Sequence, residues 1–428
     1  MEIDFQQSSG RVNFDFMKKA SIISIGNEIL SGQTADTNAP YLGRELLSLG
    51  IPLVSFYAVG DDIDSIVQSL NRASSDADII LATGGLGPTD DDVTRQAFAQ
   101  FLGTELQFHN ELLEKIQILF ATRGRKMPQN CRRQAYIPAG AEPIANKLGT
   151  APGIMARAKG KLLIALPGVP GEMKQMFQDS VLAQAGEFAG DQAIEVRKLK
   201  CFGKAESEIA ALLGDLMQRG RNPLINCTVE HGVITLYVIA TAKDKLQAQK
   251  LAEKDEELLR NTLGELVYGT DEQTLADVVG EKLVQQNKTI AVAESCTGGC
   301  LAKLLTDTPG ASRYFMYGWV TYSNAAKTTE LGIPAELIEK HGAVSSQVAQ
   351  AMAQNARKKA HTDFAIGITG IAGPTGASEQ KPVGLVYISV GSVSECETQR
   401  FVFSHDRDSN RRRAAQTALN MLRLKICI

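Results

Sequence analysis

Ser295, Tyr322 and Lys327 are the side chains in this sequence whose types and spacing could perform nucleophilic chemistry together. Ser295 sits in Ala293-Glu294-Ser295-Cys296-Thr297-Gly298-Gly299, and Lys327 closes Tyr322-Ser323-Asn324-Ala325-Ala326-Lys327. A serine hydroxyl needs a base before it can attack a carbonyl. The five histidines, at 109, 231, 341, 361 and 405, fall outside every motif, so a Ser-His-Asp triad has little support. Lysine is the remaining candidate: once partly desolvated it can accept a proton near neutral pH, with Tyr322 relaying or orienting that proton. The S-x-x-K spacing of β-lactamase-type enzymes is absent. Thr297 and Asn324, inside the two stretches, are counted as substrate contacts. Ser295 also reads as a helix N-cap with Gly298 and Gly299 in a tight turn, a role compatible with attack if those glycines aim backbone N–H groups at an oxyanion. Cys296 is an alternative nucleophile. Cys296 and Cys300, four apart on one helix face, read as packing residues rather than metal ligands.

A second polar stretch, Thr369-Gly370-Ile371-Ala372-Gly373-Pro374-Thr375-Gly376, is followed by Lys381-Pro382-Val383-Gly384. Its glycines Gly370, Gly373 and Gly376 suit a backbone nest for an anion, and Arg411, Arg412 and Arg413 offer cations near the end of the chain. Together they would hold a nucleotide monophosphate with its base directed at Ser295. Ordinary loop geometry and a solvated helix start would account for the same residues.

The third candidate lies near the other end. Gly84, Gly85 and Gly87 precede Thr89-Asp90-Asp91-Asp92, with Glu28 and Asp36 in an earlier loop. Glycines that curl N–H groups inward beside hard carboxylates suit a metal-bridged phosphate. The alternative is a glycine-rich turn with an acidic helix start. Glu172, in Pro167-Gly168-Val169-Pro170-Gly171-Glu172, reads either as a further site carboxylate or as a residue favoured at a helix N-terminus.

The elements that must position these residues follow from hydrophobic periodicity. Strands over 21–25, 53–59 and 78–83 alternate with helices over 40–49 and 64–73, which predicts a doubly wound, mostly parallel sheet with ligands beyond its strand ends. Residues 153–158 and 161–166 read as a hairpin. Residues 195–265 follow a β-α-β-β-α order, and the charge alternation over 243–260 marks a solvated helix. The last unit opens with a helix over 275–285 and a strand over 289–293. A strand over 314–322, a helix over 346–360, a strand over 364–368, a hairpin over 385–403 and a helix from Ser409 complete it. The fold class is therefore multidomain α/β, with expected domains at 17–185, 190–266 and 272–428.

At 428 residues with 44% hydrophobic and 22% charged residues, the composition is that of a globular α/β protein with more than one core. A net charge of -3 provides no general field for nucleic acid or anionic membrane, so neither partner is expected. Seven cysteines without C-x-x-C pairs predict neither a disulfide framework nor a zinc ribbon, and a reducing cytoplasm is the expected location. The polar first sixteen residues lack a signal-peptide core, and Met17-Lys18-Lys19 before the first strand suggests order beginning near Met17.

Thr83 to Thr94, with the Pro-Gly-x-Pro-x-Glu run ending at Glu172, resembles the molybdenum-cofactor-biosynthesis-type domain that opens CinA (competence/damage-inducible) proteins. Residues 195–265 resemble the KH-like middle domain of that family without the basic G-x-x-G loop of RNA-binding KH domains, which leaves a spacer or dimerisation role. Ala293 to Gly299, Tyr322 to Lys327 and Gly367 to Gly384 resemble its nicotinamide mononucleotide deamidase (PncC-type) domain. The resemblance implies hydrolysis of nicotinamide mononucleotide to nicotinate mononucleotide and ammonia in pyridine nucleotide recycling. Ser295 would be the nucleophile, Lys327 the base and Tyr322 its partner, with no cofactor. It also implies an ADP-ribose pyrophosphatase in the N-terminal domain, with a divalent metal on Asp92, Asp90, Glu28 and Glu172, and a homodimer. Ala377 stands where the family commonly has a further glycine. A reading from another class is a non-catalytic nucleotide or pterin sensor linked to competence or DNA repair.

Overall fold

The computed structural model describes residues 18–189 and 193–426. The expected onset of order near Met17 lies outside the described residues. By compactness the chain divides into two units, one running to Val196 with Arg219–Leu224 and Ile239–Glu253, the other containing Arg197–Gln218, Ile225–Val238 and Lys254 onward.

The first unit is built on strands β1 (Ala20–Ile25), β2 (Leu53–Val59), β3 (Ile79–Thr83), β4 (Glu142–Ile144), β5 (Gly153–Ala158) and β6 (Lys161–Leu166), in the sheet order β2-β1-β3-β6-β5-β4. The first four strands of that order are parallel, and β5 and β4 close the edge antiparallel. β1 and β3 are buried at every position, as expected for strands covered on both faces. Helix α1 (Asn38–Ser48) packs Leu42 and Leu46 on one face; α2 (Ile63–Asp76) and α3 (Thr94–Leu102) bury Ile66, Leu70 and Phe98 on the other. Asp62 caps α2 by accepting from the Ser65 N–H at 2.8 Å. The glycine and aspartate loop thus leaves the C-terminal end of β3 and enters α3, where the doubly wound topology places ligand sites. The doubly wound expectation holds for this sheet; its β4–β5–β6 edge is an antiparallel meander rather than a further crossover.

The middle segment forms strands β7 (Ala193–Cys201), β8 (Leu224–Glu230), β9 (Val233–Ala242) and β10 (Val267–Thr270), ordered β8-β9-β7-β10. Its long helix, α4 (Lys245–Leu263), buries Ala248, Ala252 and Leu259 and turns most of its charged residues outward, with Asp255 buried.

The C-terminal sheet has the order β12-β11-β13-β14-β15, with β11 (Ile290–Glu294), β12 (Phe315–Val320), β13 (Phe364–Gly370), β14 (Leu385–Gly391) and β15 (Cys396–Val402). β12, β11 and β13 run parallel, and β14 and β15 continue as an antiparallel hairpin. Helices α5 (Leu275–Gln285), α6 (Cys300–Asp307) and α9 (Arg407–Ile426) contribute to the core on one side; α8 (Ser346–Ala360) contributes to that on the other, with α7 (Asn324–Leu331) beside it. Gly367 is needed there, because a Cβ would collide with the Ala349 carbonyl of α8. No helix among the described residues is long and apolar enough to cross a membrane.

Candidate functional sites

β11 ends in Glu294, and the chain breaks out of the sheet at Ser295. Glu294 is completely buried, and its carboxylate accepts the N–H groups of Gly299 (3.0 Å), Leu301 (3.1 Å) and Ala302 (2.8 Å). It therefore satisfies the open donors at the start of α6 in the way an N-cap would, from within the preceding strand. Gly298 and Gly299, both left-handed (φ 58° and 90°), carry the turn between them. Arg411 pins the same turn by donating Nε and Nη2 to the Thr297 carbonyl at 3.0 and 2.9 Å.

This frame holds Ser295, 8% exposed, against Lys327, 1% exposed. The two come from the ends of neighbouring parallel strands, Lys327 by way of the first turns of α7, whose N-cap Ser323 accepts from the Ala326 N–H at 3.0 Å. Lys327 Nζ lies 3.0 Å from Ser295 Oγ, 2.8 Å from the Thr321 carbonyl and 3.3 Å from the Tyr322 carbonyl. Burial lowers the Lys327 pKa from its ordinary value. A neutral amine has two hydrogens and a lone pair; donating the hydrogens to the two carbonyls leaves the lone pair for the Ser295 hydroxyl proton. Cys296 is unsuited to attack, since burial pushes its thiol up to about 12.

Several sequence expectations land elsewhere. The Tyr322 side chain does not reach Lys327: its hydroxyl accepts from Arg407 Nη2 at 2.9 Å, and only its carbonyl meets the lysine. The N–H groups of Gly298 and Gly299 are not free for an oxyanion, because they donate to the Ser295 carbonyl and to Glu294. The N–H groups of Cys296 and Thr297 donate to no other described residue, and the fully buried Thr297 hydroxyl also has no partner. Thr369 spends its hydroxyl on the Ala343 carbonyl at 2.8 Å. Gly370 gives room for Val386 on the next strand, while Gly373 and Gly376 take left-handed turns at φ 86° and 94°. Asn324 is exposed, and its side chain makes no hydrogen bond to the described residues. Arg411 is committed to the Thr297 carbonyl, and Arg413 turns away toward Gly232.

Sequence reasoning missed Arg407 and Asn410. Arg407 donates to the Gly373 carbonyl at 2.7 Å as well as to Tyr322, and buried Asn410 donates to the Ala372 carbonyl at 3.1 Å. The start of α9 thereby fixes the glycine loop. The one signal was position: both residues fall in the first turns of a helix beginning immediately after the hairpin.

In the first unit, Gly84, Gly85, Gly87, Thr89, Glu28, Asp92 and Glu172 line one cavity of about 510 Å³ together with Asp61 and Asp91. Gly84 and Gly85 are left-handed at φ 106° and 62°. Asp92 accepts the Gly87 N–H at 2.7 Å, the Thr89 N–H at 2.8 Å and the Thr89 hydroxyl at 2.5 Å. Arg95, buried beneath, donates to the Leu86 and Gly87 carbonyls at 2.6 and 2.8 Å, and burial lowers its pKa to about 10. With those carbonyls tied down, the Gly85 and Leu86 N–H groups donate to no described residue, which is the arrangement of an anion nest.

Glu28, Asp92 and Glu172 line that cavity without Asp90, so the four expected metal carboxylates do not form one ligand set. Asp90 is almost fully exposed and pairs with Arg133 at 2.8 Å, Asp92 is occupied by its loop, and Glu172 accepts from Asn146 at 2.7 Å. Among the described residues no three His, Cys, Asp or Glu side chains form a ligand group. Asp61, whose pKa is raised by burial and by neighbouring Glu28, Asp91 and Asp92, is the carboxylate sequence reasoning passed over. Glu28, Asp61 and Asp91 line the cavity as separate carboxylates and do not form a cation cage complete in itself.

A doubly wound domain, a small α+β unit and an α/β domain with a buried Ser-Lys pair together define a multidomain α/β protein. Residues 21–185 match the pattern of the "Probable molybdopterin binding domain", residues 196–269 that of the "Damage-inducible protein CinA KH domain", and residues 272–426 that of the "CinA C-terminal domain". A competence-damage inducible protein of Caldicellulosiruptor saccharolyticus is 42% identical over 95% of this chain and 99% of its own. One of Clostridium beijerinckii is 42% identical over 95% of this chain and 98% of its own. A crystal structure of the protein CinA from Thermoplasma acidophilum is 38% identical, covering 38% of this chain and 95% of that chain with a TM-score of 0.36. The chain belongs to the CinA competence/damage-inducible family.

Proposed function

We propose that the C-terminal domain hydrolyses the carboxamide of nicotinamide mononucleotide. The observation that carries this reading is the 3.0 Å approach of a buried Lys327 Nζ to Ser295 Oγ with two carbonyls accepting the remaining amine hydrogens. Lys327 takes the hydroxyl proton as Ser295 Oγ attacks the carboxamide carbon. The Cys296 and Thr297 N–H groups and the Thr297 hydroxyl are the donors left for the oxyanion. On collapse the C–N bond breaks, the lysine proton goes to the leaving nitrogen, and ammonia departs. Water, deprotonated by the same lysine, then attacks the ester, restoring Ser295 and giving nicotinate mononucleotide. Arg407, anchored between Gly373 and Tyr322, is the cation assigned to the substrate phosphate on this reading.

For the first unit the supported reading is cleavage of ADP-ribose at its diphosphate, with the Gly85 and Leu86 N–H groups on phosphate oxygens and Glu28, Asp61 and Asp91 available to a divalent cation. When bound, that cation would neutralise the diphosphate and lower the pKa of a coordinated water. The chain's own residues hold the loop open and bind the phosphate. Product analysis tests the amidase reading: ammonia and nicotinate mononucleotide form with the wild type and not with Ser295→Ala. Tight binding of nicotinamide mononucleotide with no product would instead favour the sensor reading.

A further inference from the structure

A cavity of about 990 Å³ in the second unit lies away from Ser295, lined by the Phe202–Glu208 segment, strand β15 and α9. Its charges are paired off with one exception. Lys204 meets Glu208 at 3.0 Å, and Lys425 meets Glu395 at 2.5 Å and Glu397 at 4.0 Å. Arg413 has no carboxylate and no hydrogen-bond acceptor among the described residues; its Nε is buried without a partner, and its guanidinium lies on Gly232, where a Cβ would collide with it. Withdrawal from water lowers the Arg413 pKa, as for a cation held without compensation. Phe401 and Phe403 line the same cavity with parallel rings 5.8 Å apart, and Gln399, Thr417 and Asn420 add uncharged polar groups. Aromatic rings and one uncompensated guanidinium lining a common cavity make a site for a flat ring carrying an anion.

We propose that this cavity binds an aromatic nucleoside monophosphate, with the phosphate on Arg413 and the base against Phe401 and Phe403, as a site separate from both reaction centres. The volume accommodates a mononucleotide, and the amide and hydroxyl groups suit a ribose or a base edge.

Cys396 lines the same cavity and reports on its occupancy. The full-length protein is treated with a thiol-alkylating reagent with and without adenosine monophosphate, and the rates at Cys396 and Cys300 are read separately by peptide mass spectrometry. At ten times the dissociation constant the nucleotide slows Cys396 alkylation about tenfold and leaves Cys300 unchanged. Adenosine or inorganic phosphate alone protects far less. Arg413→Gln abolishes the protection, and Gly232→Ala, which displaces the guanidinium, weakens it; either variant suffices if the other does not fold. The proposal is overturned if Cys396 reacts equally with and without millimolar nucleotide, or if protection survives in these variants. It is also overturned if Cys396 protection tracks protein concentration without nucleotide, since a second copy of the chain would then cover the cavity.

Discussion

Lys327 Nζ sits 3.0 Å from Ser295 Oγ although the two residues are 32 positions apart, and the lysine is the more buried of the pair. Replacing either partner should remove the amidase step. Ser295→Ala and Lys327→Met are each expected to lower kcat by about a thousandfold or more, with nicotinamide mononucleotide binding retained in Ser295→Ala. Ammonia release and calorimetry measure the two effects.

The active form on this reading is the neutral lysine, so kcat/KM should fall as pH drops below the Lys327 pKa and level off above it. Burial places that pKa below 10.5, which moves the limb toward neutral pH. Stability carries the same sign. Between the folded-state pKa and 10.5 the unfolded chain binds a proton that the native state lacks, so stability rises with pH across that window. Lys327→Met should flatten this rise in denaturant titrations at several pH values.

Glu294→Ala should destabilise the protein by about 3 kcal/mol, because it strands three N–H groups at the buried start of α6. Denaturant midpoints measure the loss. Cys296→Ala should keep most of the amidase activity, since the thiol is buried and pushed up to about 12.

In the first unit Asp92→Ala should abolish ADP-ribose hydrolysis while leaving ammonia release unchanged. It removes the acceptor that closes the loop on Gly87 and Thr89, and so the geometry of the nest. Gly84→Ala should cost stability as well, because the residue is left-handed at φ 106° and a Cβ would strike the Ile25 carbonyl.

Hydrophobic period and strand-helix alternation were enough to read β1 to β3, the β5–β6 and β14–β15 hairpins and α8, because burial imposes a regular pattern on such elements. The pairing of Ser295 with Lys327 was legible because each belongs to a motif just past the end of a strand. The frame around them was not. Glu294 acts on backbone N–H groups, which carry no side-chain identity, and Arg407 binds a carbonyl and a hydroxyl exposed only once the loops are folded. The three consecutive arginines misled for a helical reason: at about 100° per residue, Arg411 and Arg413 point to nearly opposite sides. The acidic run misled likewise, since Asp90 faces solvent while Asp92 serves its own loop.

The neutral amine that the proposed reaction requires is also a chemical liability, because isocyanates and reactive aldehydes add to the free base rather than to the ammonium ion. Lys327 escapes this by having only 1% of its surface open to solvent. A covalent inhibitor aimed at that nitrogen would therefore have to resemble the substrate closely enough to enter over Ser295, and selectivity over the chain's many exposed lysines would follow from shape rather than from intrinsic reactivity.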